Sequence, residues 1–164
     1  NGSVRIAAPE ANVARALASF ERKLVSYGSS FDRDTLSGEA EAGRDLFAQD
    51  CASCHAGKIF TDLRSHRLGP VNLAASDQGL FEKTGSEGHR GRFRTPSLRN
   101  VALTDPWWHD GSARTLEAAI VRHGRAYAPA DMASMIAFLD ALSDPTFVSR
   151  KDLAMPDRAC RRRL

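Results

Sequence analysis

The sequence is most informative at first for what it lacks. In 164 residues there is no uninterrupted apolar run of the roughly 18 residues that a spanning helix needs, so nothing reads as a membrane segment. No stretch alternates apolar and polar residues convincingly enough to be a strand, and no segment repeats. Net charge is only +3, which supports no inference toward nucleic acid. Cysteine is scarce, at three residues. The chain opens Asn1-Gly2-Ser3 with no methionine and no charged-then-apolar leader, as expected of a removed signal peptide or a fragment. What remains is 42% hydrophobic and 26% charged, enough apolar material for one core in one domain of ordinary size.

Two of the three cysteines carry chemistry. Cys51 and Cys54 stand in "CASCHAG" and are followed at once by His55. This spacing reads as attachment of a c-type haem. Each thiol adds to one vinyl group, one helical turn sets the two at the right separation, and the next residue brings an imidazole to the iron. A structural zinc site wants four ligands, usually two such pairs, and there is no second pair. A thioredoxin-like motif belongs beside a βαβ pattern, which is also missing. Covalent haem attachment of this kind takes place outside the bacterial cytoplasm, so the expected compartment is the periplasm. Cys160 is left over in a basic tail and reads as a surface thiol.

Helical periodicity organises the rest. Over residues 9–26, Val13, Leu17, Phe20 and Leu24 make one apolar stripe, with Pro9 in the first turn and Gly28 as a stop. A polar linker, "SSFDRDTLSGE", follows. A second helix is expected from Ser37 or Glu39 to Asp50, with Leu46 and Phe47 facing a core. Residues 56–94 read as a loop wrapped around the cofactor, with "LGPVNL" at the haem edge, and a short helix is expected to begin near Pro96. Residues 112–124 form a helix capped by Ser112 or Thr115 and ended by Gly124. In "PADMASMIAFLDALSD", Met132, Met135, Ile136, Leu139 and Leu142 define the clearest stripe. The fold class is therefore all-α, a cytochrome c-like helical haem domain.

His55 provides one axial bond. For the other, the residues offer His66, His89, His109, His123, Met132, Met135 and Met155. The two helical methionines lie on an apolar stripe, where packing is the simpler account. Met155 lies in a polar tail, and His66 and His89 lie in arginine-rich loops. His109 sits in "PWWHDGS", and His123 ends a helix, where a cation is favoured by ~0.3–1 kcal/mol without any metal. Residue type leaves the choice open.

"FRTPSLRNVALTDPWWHDGSARTLEAAI" resembles the signature of the bacterial di-haem cytochrome c peroxidase and MauG family. "VARALASFERKLVSYGSSFDRD" resembles the segment that joins that family's two haem domains, and "GRDLFAQDCASCHAGKIFTDLRSHRLG" the start of its second. The likeness runs from about residue 12 to 143, with gaps around 70 to 90. It implies that residues 1–36 are the terminal helix and linker of a preceding haem domain outside the chain, 37–145 the cytochrome c-like haem domain, and 146–164 a basic C-terminal tail.

In the family the second haem's distal ligand stands seven residues after the leucine of the "TLEEAV"-like helix, and is Met in peroxidases and Tyr in MauG. Seven from Leu116 is His123, a departure from both patterns that still offers an iron ligand. Axial identity moves haem potentials over ~0.8 V, and His in place of Met implies a lower one. The resemblance also implies a calcium ion held by main-chain carbonyls at Thr104 and Pro106, an oxygen set suited to a hard cation. Trp107 and Trp108 are packing residues or an electron relay near the haem edge. The implied function is the electron-transfer haem domain of a peroxidase-type or MauG-type oxidoreductase. Its peroxide-reactive haem lies in the missing domain, and its partners are that domain and an electron-donor or substrate protein. A mono-haem cytochrome c that only carries electrons is the alternative.

Overall fold

In the computed structural model, which describes residues 9–69, 76–154 and two short strands at 158–159 and 162–163, the chain opens with α1 (Pro9–Glu21). It ends five residues short of the expected boundary. Beyond Glu21 the backbone turns so that Ser26 is buried and Gly28 reaches Asp144. None of α1 is buried: Val13, Leu17 and Phe20 are 59, 57 and 45% exposed, and Leu24, just beyond it, is 42% exposed.

Next comes α2 (Gly38–Asp50), capped as expected by Ser37, whose hydroxyl accepts from the Ala40 amide at 3.2 Å. The expected wrapped loop contains β1 (Ser65–His66), paired antiparallel with β2 (Phe93–Arg94), and between them α3 (Phe81–Thr84). These strands are a departure from the strandless expectation. They are two residues each, too short to leave a periodic signal. Part of "LGPVNL" lies outside the described residues, as do Met155 and Cys160.

No α-helix forms after Pro96. Residues 95–99 are stitched sideways to the haem-motif loop instead: the Thr61 hydroxyl donates to the Thr95 carbonyl at 2.7 Å, the Ser97 hydroxyl to the Ile59 carbonyl at 2.6 Å, and Arg99 to the Lys58 carbonyl. Only a 3-10 turn, Val101–Leu103, follows. Then come α4 (Leu116–Val121), capped by Thr115 rather than Ser112, and α5 (Pro129–Asp140). Residues 145 onward, expected as an extended tail, begin with α6 (Pro145–Val148), whose first-turn proline and Asp144 cap explain it. β3 (Arg158–Ala159) pairs with β4 (Arg162–Arg163).

The core forms where α2 crosses α5. The helices approach so closely at Gly43 that a Cβ there would stand 1.9 Å from the Ser134 carbonyl oxygen. Phe47, Phe60, Met135, Phe138, Leu139 and Leu142 pack into the crossing, with Phe47 and Phe138 ring centres 5.1 Å apart. Met135 is 1% exposed, so the methionine stripe is core, as its periodicity implied. The all-α class holds, with ladders of two residues as its only strands among the described residues. No helix of the described residues is long and apolar enough to cross a membrane.

Candidate functional site

Cys51 is the C-terminal cap of α2, its amide donating to the Phe47 carbonyl at 2.9 Å. The turn continues through Cys54 and His55, whose amides both donate to the Cys51 carbonyl at 3.2 and 3.0 Å. Both cysteines are free thiols. Burial raises the Cys51 thiol above its ordinary range, and the Asp50 carboxylate adds to the effect. The loop then folds back tightly, with Gly57 in the left-handed region at φ 69°. This brings the Phe60 carbonyl to 3.1 Å from His55 Nδ1. Burial pushes the His55 imidazole below its usual range, with that carbonyl opposing, so the neutral ring is favoured.

A neutral imidazole that donates from Nδ1 to a carbonyl keeps its lone pair on Nε2. His123 is built the same way. Its Nδ1 lies 2.8 Å from the Ala119 carbonyl one turn back, and Gly124, at φ 76°, closes the helix behind it. The connection to α5 is then drawn toward Cys51. The Tyr127 hydroxyl donates to Asp50 at 2.8 Å, and Arg125 pairs with the same carboxylate at 2.9 Å. Burial, helped by the bond to Asp50, moves the Tyr127 hydroxyl well above the ordinary tyrosine range.

The two imidazoles face one another across the site with ring centres 6.3 Å apart and planes tilted by 58°. An imidazole–metal bond is about 2 Å long and the ring centre lies roughly 1 Å behind the ligating nitrogen, so two rings sharing one ion stand roughly 6 Å apart. The spacing, the two anchored Nδ1 atoms and the adjacent thiols fit a covalently held haem with two histidine ligands.

The other candidates are engaged elsewhere. His66 Nε2 lies 2.6 Å from Asp62, and His89 Nδ1 2.9 Å from the Thr84 hydroxyl. His109 stacks on Phe93 at 3.8 Å and faces Asp77 at 3.4 Å. Trp107 is a packing residue against the core, its indole N–H donating to the Val101 carbonyl at 2.8 Å. Trp108 is different: at φ 76° it presents its ring edge-on to His123 with centres 5.4 Å apart. Thr104 and Pro106 sit on an exposed loop, Thr104 donating to the Val101 carbonyl at 3.0 Å. Among the described residues no group of three or more His, Cys, Asp or Glu side chains could hold an ion. Sequence reasoning missed Asp50, Tyr127 and Arg125, since contacts across 75 residues or more leave no local pattern.

A small helical domain with a Cys-x-x-Cys-His turn set against a second imidazole defines a cytochrome c-type haem domain. No family model matches the chain. It is 32% identical over 146 residues to the cytochrome c551 peroxidase of Nitrosomonas europaea, covering 80% of this chain and 44% of that protein. It is 37% identical over 117 residues to the methylamine utilization protein MauG of Methylorubrum extorquens, covering 66% of this chain and 33% of that one. A crystal structure of a MauG-like protein associated with microbial copper homeostasis superposes with a TM-score of 0.78 at 27% identity, over 87% of this chain and 60% of that one. The diheme peroxidase BthA of Burkholderia thailandensis, at 21% identity and a TM-score of 0.61, shares the fold. The chain belongs to the di-haem cytochrome c peroxidase and MauG family. It spans less than half the length of these curated relatives.

Proposed function

We propose that this chain is the electron-transfer haem domain of a peroxidase-type or MauG-type oxidoreductase, with one haem c. Cys51 and Cys54 would hold the macrocycle, and His55 and His123 would hold the iron. The observation that carries this is the pair of imidazoles 6.3 Å apart, each with Nδ1 spent on a carbonyl. When bound, the haem would supply a one-electron redox centre. The Phe60 and Ala119 carbonyls fix the two rings by accepting hydrogen bonds from their Nδ1–H groups. Asp50, through Tyr127 and Arg125, holds the strap that carries His123 in place. With both imidazoles engaged by the iron there would be no vacancy for peroxide, which supports a second haem outside this chain as the place of peroxide reduction. That haem domain and an electron-donor or substrate protein are the partners.

Several finer assignments belong to the same reading. The bare apolar face of α1 supports the view that residues 1–36 pack on a preceding domain. Thr104 and Pro106, on either side of Asp105 in an exposed loop, are the positions assigned to calcium. Trp108, edge-on to His123, is the better placed of the two tryptophans for an electron relay, since Trp107 is committed to the core. Covalent haem attachment, which takes place outside the bacterial cytoplasm, supports the periplasm as the compartment.

His123→Ala tests the reading. The expected outcome is conversion of the haem-loaded protein from a low-spin to a high-spin optical and paramagnetic resonance spectrum. A spectrum that stays low-spin would mean that another residue holds the iron.

A further inference from the structure

The β1–β2 ladder and its flanks carry four exposed arginines, Arg64, Arg67, Arg92 and Arg94. None of these guanidinium groups has a hydrogen-bond or ion-pair partner among the described residues. Several other arginines offer a contrast: Arg90 is tied to Glu87, Arg99 to Asp32, Arg125 to Asp50 and Arg150 to Asp152. Nearby carboxylates are already engaged, Asp62 by His66 and Asp77 by His109.

Register concentrates the charge. Ser65 pairs with Arg94 and His66 with Phe93, so Arg92 and Arg94 share one face of β2 while Phe93 takes the other. Arg67 follows His66 directly in the chain, and Arg92, which bridges Gly79, directly precedes Phe93. Like charges gathered on one surface repel one another. A partner of opposite sign relieves that repulsion.

The opposite face of the ladder leads inward. Phe93 lies flat on His109, with planes 12° apart and centres 3.8 Å apart. The centre of His109 is 6.2 Å from that of Trp108, which is 5.4 Å from that of His123. A basic surface and a file of contacting rings thus meet at one strand, and the file ends on the residue assigned as an axial ligand.

We infer that Arg67, Arg92 and Arg94, flanked by Arg64, form the docking face for an acidic one-electron carrier protein, and that Phe93, His109 and Trp108 carry the electron inward. The partner is oxidised by one electron and the centre held by His55 and His123 is reduced by one. No bond forms and no proton moves. This rests on the two-histidine reading above, and it adds the docking site and the charge class of the partner.

The test mixes the haem-loaded protein with reduced acidic ferredoxin as the probe, in a stopped-flow instrument. The bimolecular rate is expected to fall steeply as salt rises from about 10 to about 500 mM, because screening shortens the reach of the patch. Arg92→Glu combined with Arg94→Glu should cut the low-salt rate by about tenfold or more and flatten the salt dependence, with the haem spectrum unchanged. Cationic hexaammineruthenium(II) should respond in the opposite sense. Phe93→Leu should lower the limiting rate at saturating ferredoxin while leaving the encounter rate intact. A double variant with the wild-type rate and salt slope overturns the docking face. So does a charge reversal that abolishes binding to duplex DNA without altering the ferredoxin rate. An unchanged limiting rate in Phe93→Leu overturns the ring path. Failure of the two-histidine reading shows separately, in the resting spectrum of the wild-type protein before any partner is added.

Discussion

α1 and α5 announce themselves in the same way, by apolar residues three and four apart, yet they meet opposite fates. α5 buries Met132, Met135, Phe138 and Leu139 against α2, whereas α1 leaves Val13, Leu17 and Phe20 facing outward. Periodicity reports which face of a helix wants a partner. It does not report whether the partner belongs to the same chain. α5 finds Gly43 and Phe47 of α2 within its own sequence, and among the described residues α1 finds no such face.

The largest effect that sharpens this contrast is expected at Phe138, 1% exposed and in ring contact with Phe31, Phe47 and Phe60. Phe138→Ala should cost ~3–5 kcal/mol of stability in denaturant unfolding, the range for removing a buried aromatic. Gly43→Ala comes next. The new methyl meets the Ser134 main-chain carbonyl rather than a side chain that could swing aside, so the helices must separate. A loss of ~1–3 kcal/mol is expected, typical of overpacking. Should Gly43→Ala prove neutral, the helices are not in the close approach that defines the core.

The parts of the molecule that were legible in sequence are those whose physics is local. The helix ending at Asp50, the cysteine turn, the α5 stripe and the choice of Phe47 as core needed only spacing and caps. His123 was one of seven ligands that residue type left open; the count from Leu116 in the family pattern singled it out, and the structure sets it against His55. What could not be read depends on pairs far apart in the chain. Arg99 anchors to Asp32 across 67 residues and stacks over Tyr27, and the ladder joins residues 65–66 to 93–94. α1 was expected to run to residue 26, but Ser26 and Gly28 are claimed by Asp144, 116 or more residues away.

Asp144 gives a prediction of intermediate size. It is 3% exposed and receives hydrogen bonds from the Gly28, Thr146 and Phe147 amides. Burial alone would raise its pKa, but the hydrogen bonds from Thr146, Phe147 and Gly28 outweigh it and hold the carboxyl at about 2, below its ordinary 3.8. A depressed folded-state value contributes stability that is complete above the ordinary value and is lost as pH falls toward 2. Asp144→Ala should cost on the order of 1 kcal/mol at neutral pH, the size of a lost cap. The gap between variant and wild type should narrow as the solution is acidified below pH about 4. A gap that stays constant down to pH about 2 would mean that the ionised carboxylate is not what ties residues 26–28 to α6.

The smallest effect is expected on α1, and it bears most directly on the contrast between the two helices. Leu17 and Phe20 are 57 and 45% exposed, so Leu17→Ser with Phe20→Ser removes almost no buried contact. In this chain alone the pair should change stability by within ~0.5 kcal/mol, as for surface substitutions generally. If residues 1–36 pack on a preceding haem domain, the same pair in a protein containing that domain should cost several-fold more, because the stripe would then be buried. Unfolding both forms with and without the substitutions makes the comparison. Equal and negligible losses in the two would remove the packing role assigned to α1, and a large loss in the short chain would mean that its apolar face already has a partner within residues 9–164.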